Sequence, residues 1–198
     1  MTVKDIFDLR KQGRIEEAYE AIRPMYAVHK GKYTTLCMFW TASDILKKRV
    51  GEKRVDEAAK IFKALMRVLP NIDDNDGKAH TSMLYNALML SREASEFSIL
   101  DFVSQIPAER LTDEDWRPLS VPAAEGKPGR SIPSVAHRLL AAAFREIKAA
   151  PTVDNTLKAM PLLQEAMRRN PSDKQCLQCM KVVKGIIREQ EQTVSSLS

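Results

Sequence analysis

The sequence predicts an all-α protein built as a stack of antiparallel helical hairpins. Three observations carry that expectation. The first is a recurring spacing of a small residue, apolar residues at i+4 and i+7, and proline at i+12. It occurs at Ala58–Phe62–Leu65–Pro70, Ser95–Ile99–Phe102–Pro107 and Ala159–Leu163–Ala166–Pro171. These positions share one helical face, the small residue admits a neighbouring helix, and the proline ends the helix. The second is composition: 44% hydrophobic and 29% charged residues with 6% aromatics and seven glycines suit amphipathic helices better than a β-rich or disordered chain. The third is alternation, since each frame follows another amphipathic stretch. Hairpins too small to bury their own apolar faces must stack.

Taken in order, Thr2 followed by Asp5 caps a first helix with Val3, Ile6 and Phe7 on one face, ending near Gly13. Arg14–Tyr26 repeats the frame at Ala18, Ile22 and Met25, with Lys30 where the proline would stand; Pro24 within it is expected to kink or shorten the helix. Lys32–Val50, carrying Leu36, Phe39, Trp40 and Ile45, reads as the first helix of the second hairpin. TTLCMFW alone suits a buried strand equally, and its continuation into ASDILKK decides for helix. The turn KKRVGEKR leads to a helix over Val55–Leu69, and NIDDNDG is a polar connection.

Lys78–Ser91, with Leu84, Leu88 and Met89, is expected to pair with the Ser95 frame. Residues 108–132 then break the pattern with Pro118, Pro122, Pro128, Gly126 and Gly129, and read as an irregular insertion in which Thr112 and Asp115 cap one short turn before Trp116. Ser134–Ala149 pairs with the Ala159 frame. Ser172 and Gln175 form a capping box for a final helix from Asp173 to about Gln190, with Cys176, Met180, Val183 and Ile187 inside. About four hairpins and this capping helix make one domain over 1–192, with a frayed tail at 193–198.

KRVDEAAKIFKALMRVLP, ending at Pro70, resembles the second helix of a tetratricopeptide repeat. GRIEEAYEAIRPM, from Gly13, resembles another without its proline, and TLKAMPLLQEAMRRNPSD, from Thr156, resembles a third with the family's NPSD inter-repeat turn. The resemblance covers about half the chain. It implies a right-handed α-solenoid whose concave face, built mainly from the first helix of each pair, binds a peptide or protein. The small positions 18, 58, 95 and 159 stand 40, 37 and 64 residues apart, against about 34 in the family. The chain is therefore repeat-like, or one of the related α-hairpin solenoids, with one long insertion.

The net charge of +5 divides into +3 over residues 1–77, −2 over 78–132 and +4 over 133–198, so no segment is basic enough to demand nucleic acid. There is no apolar run of membrane-spanning length, and the N-terminus carries charges where a signal peptide needs its apolar core. A cytoplasmic protein without a membrane partner is expected. Three cysteines, an odd number, fit a reducing compartment.

Cys176-x-x-Cys179 has no second cysteine pair, and His29, His80 and His137 are scattered along the chain, so the two cysteines are expected as small buried hydrophobes with no metal. Asp73, Asp74 and Asp76 with Gly77 miss the calcium-loop spacing and read as a polar turn. No phosphate loop, HExxH or nucleophile elbow occurs, and neither a cofactor nor catalysis is expected. The candidate peptide groove comprises Trp40, Asp44, Ser82, Asn86, Arg138 and Arg145. Asn86 leads that set because an amide amid Leu84, Leu88 and Met89 suits a peptide backbone. Lys47, Lys48, Arg49, Lys53 and Arg54 form a candidate basic patch for phosphates, or a solvated turn whose cations sit at a helix C-terminus. The expected function is a non-catalytic scaffold or adaptor that binds a protein or peptide. A nucleic-acid-associated accessory protein is the second reading, and an enzyme subunit using 108–132 as a lid the third.

Overall fold

The computed structural model describes residues 1–73, 77–121 and 129–196, and among them the regular structure is ten α-helices, two single-turn 3-10 helices and one pair of short antiparallel strands. Among these, no helix is long and apolar enough to cross a membrane. The chain divides into two compact units, 1–97 and 98–198.

The first unit contains α1 (Val3–Lys11), α2 (Ile15–Val28), α3 (Lys32–Gly51), α4 (Val55–Val68) and α5 (Lys78–Glu93). Each helix packs against the next, and α3 also reaches α1 and α5. Surrounded in this way, α3 is buried on most of its circumference, from Thr34 and Thr35 through Cys37, Met38 and Phe39 to Arg49 and Val50. A helix buried all round shows no amphipathic period, which is why TTLCMFW is ambiguous as a sequence. Most frame positions behave as expected here: Ala18 and Ala58 are fully buried and Ile22, Phe62 and Leu65 are buried with them, whereas Met25 is only half-buried.

The turns α1–α2 and α3–α4 are the same turn. In the first, Gly13 sits at φ 77°, its N–H donates to the Arg10 carbonyl, and the Arg14 N–H donates to the Leu9 carbonyl. In the second, Lys53 sits at φ 60°, with the Lys53 N–H on the Val50 carbonyl and the Arg54 N–H on the Arg49 carbonyl. Both are Schellman closures. The residue that follows adopts nearly the same conformation in each, φ −80° and ψ 56° at Arg14, φ −89° and ψ 59° at Arg54.

Two local expectations change. Pro24 does not end α2, which continues to Val28 with the proline on its exposed face. Residues Lys47–Val50, read as a turn, are the last turns of α3, and the link to α4 is only Glu52–Arg54. After α4, Pro70 lies in a short 3-10 turn, Leu69–Asn71, that closes the helix.

The second unit contains α6 (Ile99–Val103), α7 (Asp113–Trp116), β1 (Leu119–Val121) antiparallel to β2 (Arg130–Ile132), α8 (Val135–Ala149), α9 (Val153–Arg169) and α10 (Lys174–Ser196). Helix α9 packs against α8, α10 and α6, while α6 and α7 also pack on α8. The Ser95 frame does not form a full helix. Ile99 and Phe102 are buried as the spacing requires, but Ser98 caps the chain late by accepting the Asp101 N–H, and the helix lasts five residues. The Glu146 carboxylate of α8 accepts from Ser98 Oγ at 2.9 Å and the Ile99 N–H at 2.7 Å, anchoring that late start.

Within the insertion the Thr112–Asp115 capping box forms, and Trp116 is buried. At α10 the cap is Asp173 and not Ser172: Asp173 Oδ1 accepts the Cys176 N–H at 2.9 Å, while Ser172 Oγ donates to Asn170 Oδ1. The buried residues of α10 are Cys176, Val183 and Ile186, and the expected inner residues Met180 and Ile187 are only half-buried. Helix α10 extends across Thr193 to Ser196. Asp74 and Asp76, Pro122, Gly126 and Pro128, and the last two residues of the tail lie outside the described residues.

Candidate functional site

Four of the six groove residues fall into two polar clusters on α3 of the first unit. Trp40 packs edge-on against Phe39 and carries the Arg10 guanidinium of α1 over its ring at 5.8 Å, while Arg10 Nε donates to Asp44 one turn along α3. Trp40 and Asp44 thus fix α1 onto α3. Ser43 Oγ lies 3.1 Å from Ser82 Oγ and accepts from Asn86 Nδ2 at 2.8 Å, joining α3 to α5. Asn86 is fully buried, faces Ser43, and leaves its Oδ1 without a hydrogen-bond partner among the described residues. Ser43 carries no sequence signal of its own, being a serine within a helix that is buried on most of its circumference. Arg138 and Arg145 lie on α8 of the second unit, half-buried and exposed respectively.

The basic patch is largely neutralised by its own neighbours. The Arg49 side chain is only 11% exposed; its guanidinium donates to both Glu16 oxygens at 2.5 and 2.7 Å and to Glu52 at 3.1 Å, and pairs with Glu57 at 3.2 Å. These hydrogen bonds hold Glu16 down to about pKa 2 and Arg49 above its ordinary range. Lys48 pairs with Glu16, Lys53 with Glu93 and Arg54 with Glu57. Of the five cations only Lys47 has no ion pair among the described residues.

An open cleft of about 820 Å³ lies elsewhere on this unit, between α1, the end of α2 and the start of α3. Val3, Phe7, Met25 and Tyr33 line it, Tyr33 being 72% exposed, and Lys4, Lys11, Lys32 and Asp8 stand around them. The exposed Lys32 is paired with Asp73 and Lys11 with Asp8; Lys4 has no ion pair among the described residues.

In the second unit the starts of α8 and α10 come together. His137 is held by Ser134, whose Oγ is 2.7 Å from His137 Nδ1 and also accepts the His137 N–H. The Trp116 ring meets the imidazole edge-on at 5.2 Å, with the Arg169 guanidinium 5.5 Å from the same indole. His137 Nε2 is buried, has no hydrogen-bond partner among the described residues, and lies 3.6 Å from Asp173 Oδ2. Cys176 Sγ completes a set of three side-chain atoms that all lie within 4.8 Å of one another. Burial, with the Asp173 charge alongside, pushes the Cys176 thiol up to about 12, and burial raises Cys179 as well. A cleft of about 310 Å³ between α8 and α10 gives onto His137, Cys176 and Cys179.

No family model, curated protein or solved structure matches this chain. Cys176 stands 39 positions after His137, and the fold makes these two neighbours. One signal for this is present, because Ser134 and Asp173 each stand three residues before the partner side chain, at a helix cap.

Proposed function

We propose that the chain is a non-catalytic, tetratricopeptide-like interaction module that binds a segment of another protein in the cleft between α1, α2 and α3. The observation that carries this reading is the cleft itself: an apolar floor of Val3, Phe7 and Met25 with the exposed Tyr33, and three lysines against the single Asp8. That chemistry fits an acidic peptide with a large apolar anchor, the anchor gaining from burial and the acids from the lysines. The exposed Lys32–Asp73 and Lys11–Asp8 pairs are cheap to exchange for a ligand's carboxylates.

The equivalent turns at Gly13 and Lys53 support the repeat reading, since two successive hairpins close in the same way. Three free cysteines agree with a cytoplasmic setting. A nucleic-acid partner at Lys47–Arg54 has less support, because Glu16, Glu52, Glu57 and Glu93 already engage four of its five cations.

Selection of a displayed random-peptide library on the full chain tests the reading. Enrichment of acidic peptides with an aromatic or leucine anchor, abolished by Phe7→Asp and weakened by Lys4→Glu with Lys32→Glu, is the expected result. No enrichment, or enrichment indifferent to these changes, overturns it.

A further inference from the structure

We propose that His137, Asp173 and Cys176 form a binding site for a zinc-class divalent cation, joining the starts of α8 and α10. The three ligand atoms already converge within 4.8 Å, and the His137 Nε2–Asp173 Oδ2 separation is 3.6 Å. Ligand atoms on a tetrahedral zinc ion stand about 3.3–3.7 Å apart, as follows from bond lengths of about 2.0–2.3 Å. The site needs only a small contraction to close on the ion.

Each ligand is positioned by a neighbour. Ser134 Oγ engages His137 Nδ1 and turns Nε2 inward, where this buried atom has no hydrogen bond among the described residues. The Trp116 edge fixes the ring plane. Asp173 Oδ1 accepts the Cys176 N–H at 2.9 Å, and Oδ2 lies 3.6 Å from His137 Nε2. Outer partners of this kind set ligand orientation in metal sites. One imidazole, one carboxylate and one thiolate form a mixed N, O, S set that suits zinc over magnesium or calcium. Their two negative charges balance the ion, and the thiol proton leaves to solvent on binding. The 310 Å³ cleft supplies an entry path, and water takes the fourth position.

This assignment is independent of the peptide cleft. Titration of the metal-free full chain with Zn²⁺ should show one ion per chain, and Co²⁺ in its place should give a tetrahedral visible spectrum with a thiolate charge-transfer band. His137→Gln and Cys176→Ser should each weaken Zn²⁺ binding by more than about 100-fold, beyond the range typical of outer-partner changes. Cys176→Ser should erase the charge-transfer band, and Cys179→Ser should leave both readouts in place. The proposal fails if no ion binds, if binding survives His137→Gln and Cys176→Ser, or if Cys179→Ser alone removes it. Circular dichroism of each apo variant separates lost binding from lost folding, and His137→Gln provides the decisive readout if Cys176→Ser does not fold.

Discussion

His137 and Cys176 hold the same station in their two helices. Each is the third residue of its helix, and each has its backbone N–H bonded to the side chain three residues before it, Ser134 for α8 and Asp173 for α10. Capping therefore decides more than where these helices start. It also sets the direction in which the third side chain leaves the first turn, so two ordinary caps aim an imidazole and a thiol at one point.

Removing one of these caps should cost stability out of proportion to its size. Ser134 is fully buried, accepts the His137 N–H and bonds His137 Nδ1. Ser134→Ala should lower the unfolding free energy by about 1–2 kcal/mol, near the top of the usual range for a lost cap. Ser134→Thr or Ser134→Asp should recover part of the loss, as read from urea midpoints at constant slope.

Acid should weaken the first unit through Glu16. Its pKa in the folded chain is about 2 against an ordinary 4.5, so the stabilisation is complete above about pH 4.5 and disappears as pH falls toward 2. Glu16 is 39% exposed, which screens the pair, and Arg49 retains Glu52 and Glu57. Glu16→Gln at neutral pH should therefore cost about 1 kcal/mol, between the values for surface and buried pairs. The difference between wild type and variant in urea midpoint should shrink between pH 4.5 and 2.

The paired turns predict two substitutions of opposite sign. Gly13 has open space around a built Cβ, so Gly13→Ala isolates the strain of a left-handed backbone and should destabilise by about 1 kcal/mol. Lys53 already bears that strain, and Lys53→Gly should stabilise by about 0.5–1 kcal/mol, with its exposed pair to Glu93 contributing little. Paired thermal melts measure both.

Trp116 carries the insertion's share of the second unit's core. It is buried against His137 and Arg169, while its indole N–H has no hydrogen-bond partner among the described residues. Trp116→Ala should cost about 3 kcal/mol or more. Trp116→Phe should cost distinctly less, because it keeps most of the apolar area and removes the unpaired donor. A melting temperature unchanged by Trp116→Ala would reduce the segment to a connector.

Helical periods and caps were legible wherever one face of a helix was buried and the other wet. Val55–Val68 and Val135–Ala149 follow the spacing closely, and Thr2 and Thr112 cap where their sequences indicate. Legibility failed where tertiary contacts chose between equal local options. The Ser95 frame has the right apolar residues, but Ser98 offers a later cap and Glu146, far along the chain, stabilises it. KKRVGEKR reads as a longer α3–α4 turn, yet the helix runs through Gly51 and the left-handed position falls on Lys53, which is not a glycine. The apolar cleft and the His137 set were invisible for a simpler reason. Val3 and Met25, or His137 and Cys176, share no sequence period, and only packing makes them neighbours.

The shared closure at Gly13 and Lys53 also makes part of this chain a copyable block. Residues 15–54 leave one left-handed corner and end having completed the next, with backbone angles that agree at Arg14 and Arg54. A second copy spliced in after Arg54 would enter and exit through joints the chain already makes, so lengthening this protein by whole hairpins would require no new turn.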